Sequence, residues 1–235
     1  MASQVYPPNV IVRTILGDFF PARGLAPAPR GLGSEAPPVF DDDRIISDME
    51  KFFYVRLDAT RAAPRGARDW VVVLVLSAAG KYSNHSPDLH KLLDAVETER
   101  PAKEGRLDEL IVVADKVFFG KKNLTDVVRG AQKRQARGGD EKGTAPFFSM
   151  YPYHNFALVV PEHHSVPRHR TMTAAEVDAM LTRDRIERAS LPVIFTSDAA
   201  IVWSGAREGQ VVEITRGSQT AGVALYYRRV ERDRS

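Results

Sequence analysis

The stretch Asp69–Ser77, DWVVVLVLS, decides the fold class of the N-terminal part of this 235-residue chain. Seven consecutive apolar residues run from Trp70 to Leu76, and four of them are valines. A continuous apolar run of this length predicts a β-strand that is buried on both faces. Strands of that kind lie in the middle of sheets whose two faces are both covered.

The residues that follow predict a helix and then a second buried strand. Ser86 and Pro87 are typical of a helix start, because serine caps the first amides and proline needs no amide hydrogen there. Side chains at helical spacing predict the apolar face of this helix: Leu89, Leu92, Leu93 and Val96. DELIVVAD, Asp108–Asp115, repeats the pattern of a buried strand. With a basic helix predicted at Thr125–Arg137, this alternation indicates an α/β sheet in the N-terminal part of the chain.

Upstream of this sheet the sequence predicts two helices separated by a long loop. Pro8–Phe20 places its apolar residues near helical spacing. Pro21–Phe40 contains five prolines, which remove backbone donors, so we expect a loop or an insertion there. Asp41–Phe53 opens with three aspartates that suit a helix N-terminus, and Tyr54–Asp58 predicts a short strand.

The C-terminal part of the chain predicts a smaller unit with a mostly β core. Thr173 and Glu176 have the spacing of a capping box, which predicts a helix in TMTAAEVDAMLTRDRI. Short apolar stretches predict four strands, at Asn155–Val160, Val193–Phe195, Gln210–Thr215 and Val223–Val230. We therefore expect an α+β protein with an α/β domain at residues 1–155 and a small α+β domain at residues 156–235.

The stretch Glu208–Val230, EGQVVEITRGSQTAGVALYYRRV, predicts two strands joined by a turn that contains glycine. Alternation of side chains predicts that Val212 and Ile214 share one face of the sheet and that Val211 points to the other. Gly222 is expected to supply a positive φ or to allow a close approach of the backbone. No helix is predicted directly behind these glycines, so the stretch is not a phosphate-binding loop.

The sequence shows no established pattern for metal, cofactor or nucleophilic chemistry. There is no cysteine, and His154, His163, His164 and His169 match no zinc spacing. Gly120–Lys122 lacks the hydroxyl residue and the preceding glycine of a phosphate-binding loop. No pair of strand-borne acids with a nearby lysine, as a metal-dependent nuclease requires, is evident. We expect no catalytic residue, cofactor, metal or small-molecule ligand, and no membrane span.

Positive charge is concentrated in one segment, although the net charge is only +3. Between residues 121 and 137 there are six basic residues against the single acid Asp126: Lys121, Lys122, Arg129, Lys133, Arg134 and Arg137. Such a run is typical of a solvated helix face. It also suits a surface that faces nucleic-acid phosphates, and composition leaves both interpretations open.

Five motifs in the C-terminal third occur in the order found in a known family. They are EHHSVPRH from Glu162, TMTAAEV from Thr171 with LP at Leu191, SDAAIVWSG from Ser197, GQVVEITRGSQTAG from Gly209, and YRRV from Tyr227. In this order they resemble the fifth subunit shared by eukaryotic nuclear RNA polymerases, whose C-terminal part corresponds to a small subunit of the archaeal polymerase. The N-terminal part weakly resembles the jaw domain of that eukaryotic subunit, an α/β fold similar to restriction endonucleases without their active site.

The resemblance implies a set of assembly and structural positions in the C-terminal domain. They are His163, Val166, Pro167, His169, Leu191, Pro192, Asp198, Gly205, Gly209, Val211, Val212, Arg216, Ser218, Thr220, Ala221, Gly222, Tyr227 and Arg228. Charged positions depart from the family pattern, since Glu213 replaces a lysine and Val223 replaces an arginine. This combination indicates a retained fold with a changed partner surface, as in a subunit encoded by a large DNA virus.

The resemblance implies a non-catalytic subunit of a multisubunit DNA-directed RNA polymerase that acts in transcription. Its C-terminal domain would dock on the largest subunit, and its jaw would flank downstream duplex DNA without reading the sequence. The residues expected near DNA are Lys116, Lys121, Lys122, Arg129, Lys133 and Arg134. The expected location is the nucleus, or the viral factory and virion for a viral protein. An alternative is a stand-alone nuclease-like or nucleic-acid-binding protein with a borrowed assembly module.

Overall fold

The computed structural model of the chain describes residues 7–28, 42–62, 68–77, 86–98, 107–115, 130, 146–218 and 222–233. The chain divides into unit 1, Met1–Ala157, and unit 2, Leu158–Ser235. Each unit combines helices with one mixed sheet, so the α+β fold class is confirmed. No helix in the described ranges is long and apolar enough to cross a membrane.

Unit 1 is built on a five-stranded sheet with the strand order β1-β2-β3-β4-β5. The strands are β1 (Ala26–Ala28), β2 (Tyr54–Ala62), β3 (Arg68–Leu76), β4 (Leu107–Ala114) and β5 (Phe147–Pro152). The pairs β1/β2 and β2/β3 are antiparallel, whereas β3/β4 and β4/β5 are parallel. The predicted buried strand is therefore confirmed as the central one, and β2 runs four residues past its predicted end at Asp58.

Helix α4 (Ser86–Thr98) connects β3 to its parallel neighbour β4. Its side chains Leu89, Leu93 and Val96 are buried against alternate residues of β3 and β4, and Leu92 is partly buried there, which confirms the predicted apolar face. No side chain between Val71 and Leu76 is more than 2% exposed. Both faces of β3 are thus covered, which is the physical reason for its unbroken apolar sequence.

The predicted N-terminal helix is confirmed as α1 (Pro8–Thr14), a π-helical turn (Ile15–Phe19) and α2 (Phe20–Ala22). The predicted start of the loop at Pro21 is wrong, because Pro21 belongs to α2 and the edge strand β1 follows at Ala26. Proline fits both places, since a first helical turn and a sheet edge leave amide hydrogens unused. Residues 29–40 of the predicted loop lie outside the described residues.

The strand predicted at Asn155–Val160 is wrong. The strand is β5, which pairs with β4 in parallel from Glu109↔Phe147 to Ala114↔Pro152. Residues Tyr153–Phe156 form a 3-10 turn instead, because Pro152 has no amide hydrogen with which to extend the ladder. The hydroxyl of Tyr153 donates to the carbonyl oxygen of Leu76, and burial raises the pKa of this phenol above its ordinary value.

Two further helices were predicted in unit 1. The helix predicted at Asp41–Phe53 is confirmed as α3 (Asp42–Phe52). The basic helix predicted at Thr125–Arg137 lies outside the described residues except for Gly130, which is helical.

Unit 2 contains a four-stranded sheet with the order β6-β8-β9-β7. The strands are β6 (Arg168–Thr171), β7 (Val193–Phe195), β8 (Val211–Ser218) and β9 (Gly222–Glu231). The predicted β8–β9 hairpin is confirmed, β6 pairs with β8 antiparallel, and β7 pairs with β9 in parallel.

Two helices cover opposite faces of this sheet. Helix α6 (Ala199–Ser204) contributes Ile201 to a core with Val212 and Ile214, and α5 (Ala174–Asp184) packs Val177 and Met180 in a second core with Val211. The predicted division of β8 into two faces is therefore confirmed. The capping box of α5 is also confirmed, since Glu176 N donates to the Thr173 hydroxyl and Thr173 N donates to the Glu176 carboxylate.

Candidate assembly surface

One face of the unit 2 sheet carries a groove of about 440 Å³. Its walls are the segment that leads into β6 and the N-terminal end of α6, and its floor is formed by the strands. The lining residues are Val160, Ser165, Val166, Pro167, His169, Ile194, Asp198, Ala199, Ala200, Ile214, Arg216, Tyr226 and Arg228. We call this surface the groove.

The first wall is held by hydrogen bonds within its own segment. Val166 N donates to the carbonyl oxygen of His163 at 2.8 Å, which closes a turn. His169 Nδ1 donates to the carbonyl oxygen of Pro167 at 2.7 Å, so the imidazole is anchored to its own backbone. Because Pro167 has a fixed φ, the backbone that leads into β6 is stiff and the groove is shaped before anything binds.

The second wall is the start of α6, a helix that the sequence analysis did not predict. Asp198 Oδ1 accepts a hydrogen bond from Ala200 N at 2.9 Å and so caps the helix. Gly205 ends it with a φ of 70°, a left-handed conformation that glycine adopts without strain. The helix has only six residues and four of them are buried, so it lacks the amphipathic period by which longer helices are predicted.

The floor of the groove follows from strand register. His169 on β6 pairs with Ile214 on β8, which in turn pairs with Tyr226 on β9. Arg216 and Arg228 lie on the same face as Ile214, each two residues from this row along its own strand. The floor is thus apolar at its centre and carries an arginine toward each end.

The two arginines of the floor have no carboxylate partner among the described residues. Arg228 Nη1 donates to the carbonyl oxygen of Val193 at 3.3 Å, and Arg216 makes no hydrogen bond to a described side chain. The one acid in the lining, Asp198, already accepts the amide of Ala200. The groove is therefore a positively charged surface that can accept negative groups from outside.

The opposite face of the sheet is different, because its charges are paired internally. Arg170 donates to Glu176 at 2.7 Å and to Glu213 at 3.2 Å. The backbone amide of Thr173 and the Arg170 guanidinium lower the pKa of the Glu176 carboxyl to about 2. Hydrogen bonds to Glu176 and Glu213 likewise raise the pKa of the Arg170 guanidinium. This network braces α5 against the sheet, and one guanidinium is shared between the two carboxylates.

The structure brings together six of the residues that the sequence analysis assigned to assembly. The groove contains Val166, Pro167, His169, Asp198, Arg216 and Arg228. Their positions span more than 60 residues of sequence, and only strand pairing makes them neighbours. Several lining residues were missed, among them Tyr226 and Ile194. Alternation along β9 from Arg228 was the signal that could have identified Tyr226.

The other predicted assembly residues have mainly structural positions. Leu191, Val211 and Val212 are buried in the two cores, and Tyr227 is half-buried against Arg183, which donates to its hydroxyl at 3.4 Å.

The remaining predicted assembly residues lie in turns or at strand ends. Gly209 and Gly222 have positive φ, the carbonyl oxygen of Pro192 accepts from Arg229 N, and His163 is exposed. Ser218 ends β8. Thr220 and Ala221 lie outside the described residues.

The strands of unit 1 carry buried acids whose described ion-pair partners are arginines, which differs from the acid pair with a nearby lysine that a nuclease requires. Asp108 and Glu109 are adjacent on β4, and Asp58 lies on β2; all three are buried. Arginines accompany each of them: Arg23 Nη2 is 3.2 Å from Glu109, Arg56 Nε is 2.8 Å from Asp58, and Arg61 Nη1 is 3.5 Å from Asp108. Asp108 and Glu109 stand in the predicted strand DELIVVAD, but their arginine partners are 47 and 86 positions away and follow from no local pattern.

The residues predicted to lie near DNA cannot be compared with this geometry. Lys116, Lys121, Lys122, Arg129, Lys133 and Arg134 all lie outside the described residues. Among the residues that are described, no group of three His, Cys, Asp or Glu side chains is placed to hold a metal ion.

Comparison with known proteins places the chain in a family. The family model described as RNA polymerase Rpb5, C-terminal domain, matches residues 158–230, almost the whole of unit 2. The chain is similar to the DNA-directed RNA polymerase RPB5 homolog of African swine fever virus (isolate Pig/Kenya/KEN-50/1950), with 34% identity over 164 residues. That match covers 70% of this chain and 74% of the viral protein, so it extends into unit 1.

Archaeal proteins match a shorter part of the chain at higher identity. The DNA-directed RNA polymerase subunit Rpo5 of Thermococcus celer is 46% identical over 71 residues, which cover 30% of this chain and 87% of the archaeal protein. Its counterpart in Nitrosopumilus maritimus is 40% identical over 73 residues, covering 31% of this chain and 88% of that protein. The chain belongs to the RPB5 family of DNA-directed RNA polymerase subunits.

Proposed function

We propose that this chain is a non-catalytic subunit that docks through unit 2 on the largest subunit of a multisubunit RNA polymerase. The observation that carries the proposal is that six motif residues lie together in one groove. Two of the six are arginines that lack carboxylate partners among the described residues. Arginine is enriched in protein interfaces, where a groove with an apolar centre and charged ends gives both affinity and orientation. The bond chemistry of transcription would then belong to the large subunits.

The buried acids of unit 1 support a non-catalytic role. A metal-dependent nuclease needs carboxylates that are open to a magnesium ion and to water. Glu109 is fully buried, and its carboxylate is occupied by Arg23 and by the Ser149 hydroxyl at 3.3 Å. Arginine remains charged at any working pH, so this carboxylate stays neutralised by the protein itself.

We further propose that unit 1 acts as a jaw beside downstream duplex DNA. The basic segment that contains Lys121 and Lys122 would supply contacts to phosphates, which attract any sequence equally. Such contacts suit a polymerase that must pass along all of its template. The protein would act where its polymerase acts, in the nucleus or, for a virus, in the viral factory and the virion.

The docking proposal is tested by co-purification with a tagged full-length chain. The wild-type chain should retain the two large polymerase subunits, and the double variant Arg216→Glu/Arg228→Glu should lose most of them. Arg168→Glu is the matched control, because Arg168 is an exposed arginine of the same sheet whose side chain alternates to the face opposite His169. Equal retention by all three chains would exclude the groove as the docking surface.

The same purification tests the alternative function, a stand-alone nuclease. A stand-alone nuclease would run without polymerase subunits and would cut DNA when magnesium is added. For the jaw, Lys121→Glu/Lys122→Glu should weaken the salt-sensitive retention of DNA by the assembled polymerase while the subunit stays bound. Unchanged retention at every ionic strength would assign the two lysines to a solvated surface.

A further inference from the structure

Strand β9 has an open edge along most of its length. Its partner on one side is β8, which pairs with it from Ser218↔Gly222 to Val211↔Arg229. On the other side β7 pairs only with the last three residues, Val193↔Arg229 to Phe195↔Glu231. In the described part of the chain, no strand lies beside residues Gly222–Arg228 on that side. We call these seven residues the open edge.

The direction of each amide along this strand follows from two hydrogen bonds. Arg229 N donates toward β7, to the carbonyl oxygen of Pro192 at 2.9 Å, and Val230 N donates the other way, to Gln210 at 2.8 Å. Because amides alternate along a regular antiparallel strand, Val223, Leu225 and Tyr227 direct their N–H and C=O groups away from β8. These groups are the unused half of a ladder.

The side chains of the open edge are neutral up to Tyr227, and three of them are exposed. Val223 is 62% exposed, Leu225 is 50% exposed and Tyr226 is 51% exposed, while the sequence GVALYY contains no lysine, proline or acid. Edge strands that face solvent normally carry lysine, proline or acidic residues, because a flat apolar edge pairs with other chains. The open edge therefore has the properties of a strand that is covered in its assembled state.

The two faces of the open edge differ in charge. This difference specifies which side chains an incoming strand should carry on each face. Val223 and Leu225 lie on the face of α5, where an incoming strand would meet apolar side chains. Tyr226 and Arg228 lie on the groove face, with Arg216 one strand away opposite the small side chain of Ala224. Cross-strand pairs of opposite charge are favourable, so acidic residues suit this second face.

We propose that the open edge of β9 receives an extended strand from another polymerase subunit, with apolar side chains on the α5 face and acidic side chains toward Arg216 and Arg228. The added strand would pair with β9 on the side where β7 pairs with its last three residues, and it would cover Val223 and Leu225. This mode of recognition uses backbone hydrogen bonds for affinity and alternate side chains for specificity. The inference rests on the proposed docking of unit 2 and names the chemistry of the docked segment.

A proline at position 225 tests the backbone component in the full-length chain. Leu225→Pro removes an amide hydrogen that points away from β8, so the β8–β9 ladder keeps its bonds while the edge can no longer pair. We expect at least about tenfold less of the large subunits in co-purification, because a buried partner carbonyl would lose its donor. Leu225→Thr is the control, since it keeps the amide hydrogen and should retain more of the complex than the proline variant.

The outcomes separate this inference from the proposed function. If Leu225→Pro has the wild-type far-ultraviolet circular dichroism and still binds the polymerase fully, the added strand is refuted and the subunit role stands. If the wild-type chain itself retains no polymerase subunit, the proposed function fails. If the free wild-type chain is a dimer by light scattering and Leu225→Pro is a monomer, a second copy covers the edge and the inference is overturned.

A cross-linking experiment identifies the covering segment and does not depend on a destabilised variant. A photo-activated phenylalanine analogue replaces Val223, whose side chain is exposed, and the assembled polymerase is irradiated. The expected product joins position 223 to a segment of another subunit that alternates apolar and acidic residues. A cross-link to a helical segment, or to a segment without acidic residues, would contradict the inference.

Discussion

On β4 of the unit 1 sheet, Glu109 is completely buried and is paired with Arg23 from the end of α2. Arg23 is only 9% exposed, and its Nη2 lies 3.2 Å from the carboxylate. A buried ion pair adds little net stability, since desolvation of both charges offsets their attraction. Loss of one partner is costly, however, because the other charge is then buried alone. The pair thus determines where α2 meets β4.

Arg23→Ala should destabilise the full-length chain by about 3–5 kcal/mol, measured by urea unfolding. The double variant Arg23→Met/Glu109→Leu replaces both charges by apolar groups of similar size and should be close to the wild type. Equal destabilisation by the single and the double variant would show that packing, and not the uncompensated carboxylate, causes the loss.

Glu176 in unit 2 has a carboxyl whose pKa is lowered by its hydrogen bonds. The Thr173 amide first, and the Arg170 guanidinium second, hold the pKa of its carboxyl at about 2, below the ordinary value of 4.5. A carboxyl whose pKa is lower in the folded than in the unfolded chain stabilises the folded state at every pH above its pKa in the unfolded chain. This contribution is lost as the pH falls from about 4.5 toward 2, because the folded protein then binds the proton.

Glu176→Gln should remove this pH dependence while it keeps the capping geometry of α5, since glutamine also suits that position. The difference in Tm between wild type and variant should be largest above pH 4.5 and should shrink toward pH 2. Glu187→Gln, an exposed control outside the network, should show no such trend. A difference in Tm that is constant across this pH range would contradict the assignment.

Among the elements, the β8–β9 hairpin carries both the floor of the groove and the open edge. The conformation of Gly222, where β9 begins, therefore affects both surfaces. Gly222 opens β9 with a φ of 71°, and a Cβ atom added there would meet nothing within 4 Å. The prediction that Gly222 provides a positive φ is confirmed, and space is not the reason for glycine. Gly217 on β8 also has open space around it, but its φ is not positive.

The two glycines of the hairpin therefore predict opposite results for one substitution. Gly222→Ala should destabilise the chain by about 1–2 kcal/mol, because an alanine is strained at this φ. Gly217→Ala should range from neutral to about 1 kcal/mol stabilising, since it lowers the entropy of the unfolded chain without strain. Urea unfolding of the two variants measures the contrast, and equal effects would show that the turn conformation is not what requires Gly222.

At the scale of the whole molecule, the chain consists of two units that each have their own sheet. Unit 2 contains two cores, one on each face of its sheet, and the Rpb5 C-terminal family model matches residues 158–230, which lie within it. A protein of that size can bury enough apolar surface to fold without further domains. Under the docking proposal, unit 2 is the part that assembles with the polymerase.

A fragment of residues 158–235 should fold on its own, with one cooperative transition in urea. In co-purification it should retain the large polymerase subunits, whereas a fragment of residues 1–157 should not. The variant Arg216→Glu/Arg228→Glu in the short fragment is the control for specific docking. Retention of the polymerase by the unit 1 fragment alone would move the main assembly surface out of unit 2.

The sequence by itself determined the features that depend on neighbouring residues. The unbroken apolar runs of β3 and β4, the capping box at Thr173 and the β8–β9 hairpin follow from local pattern, and the ordered C-terminal motifs indicated the family. Elements without such a local signal were missed, among them α6, which is too short and too buried to show a helical period. Strand β1 was missed because it contains a proline, and β6 because its sequence RHRT has no apolar residue.

Only the tertiary structure decided which distant residues meet. Arg23 and Glu109 are 86 positions apart in the chain, and no local period connects them. The groove joins His169, Ile214 and Tyr226 because three strands pair in one particular register, and a shift by one residue would turn each side chain to the other face. The open edge exists because β7 pairs with only three residues of the ten-residue β9, and strand pairing over such distances is a property of the folded chain.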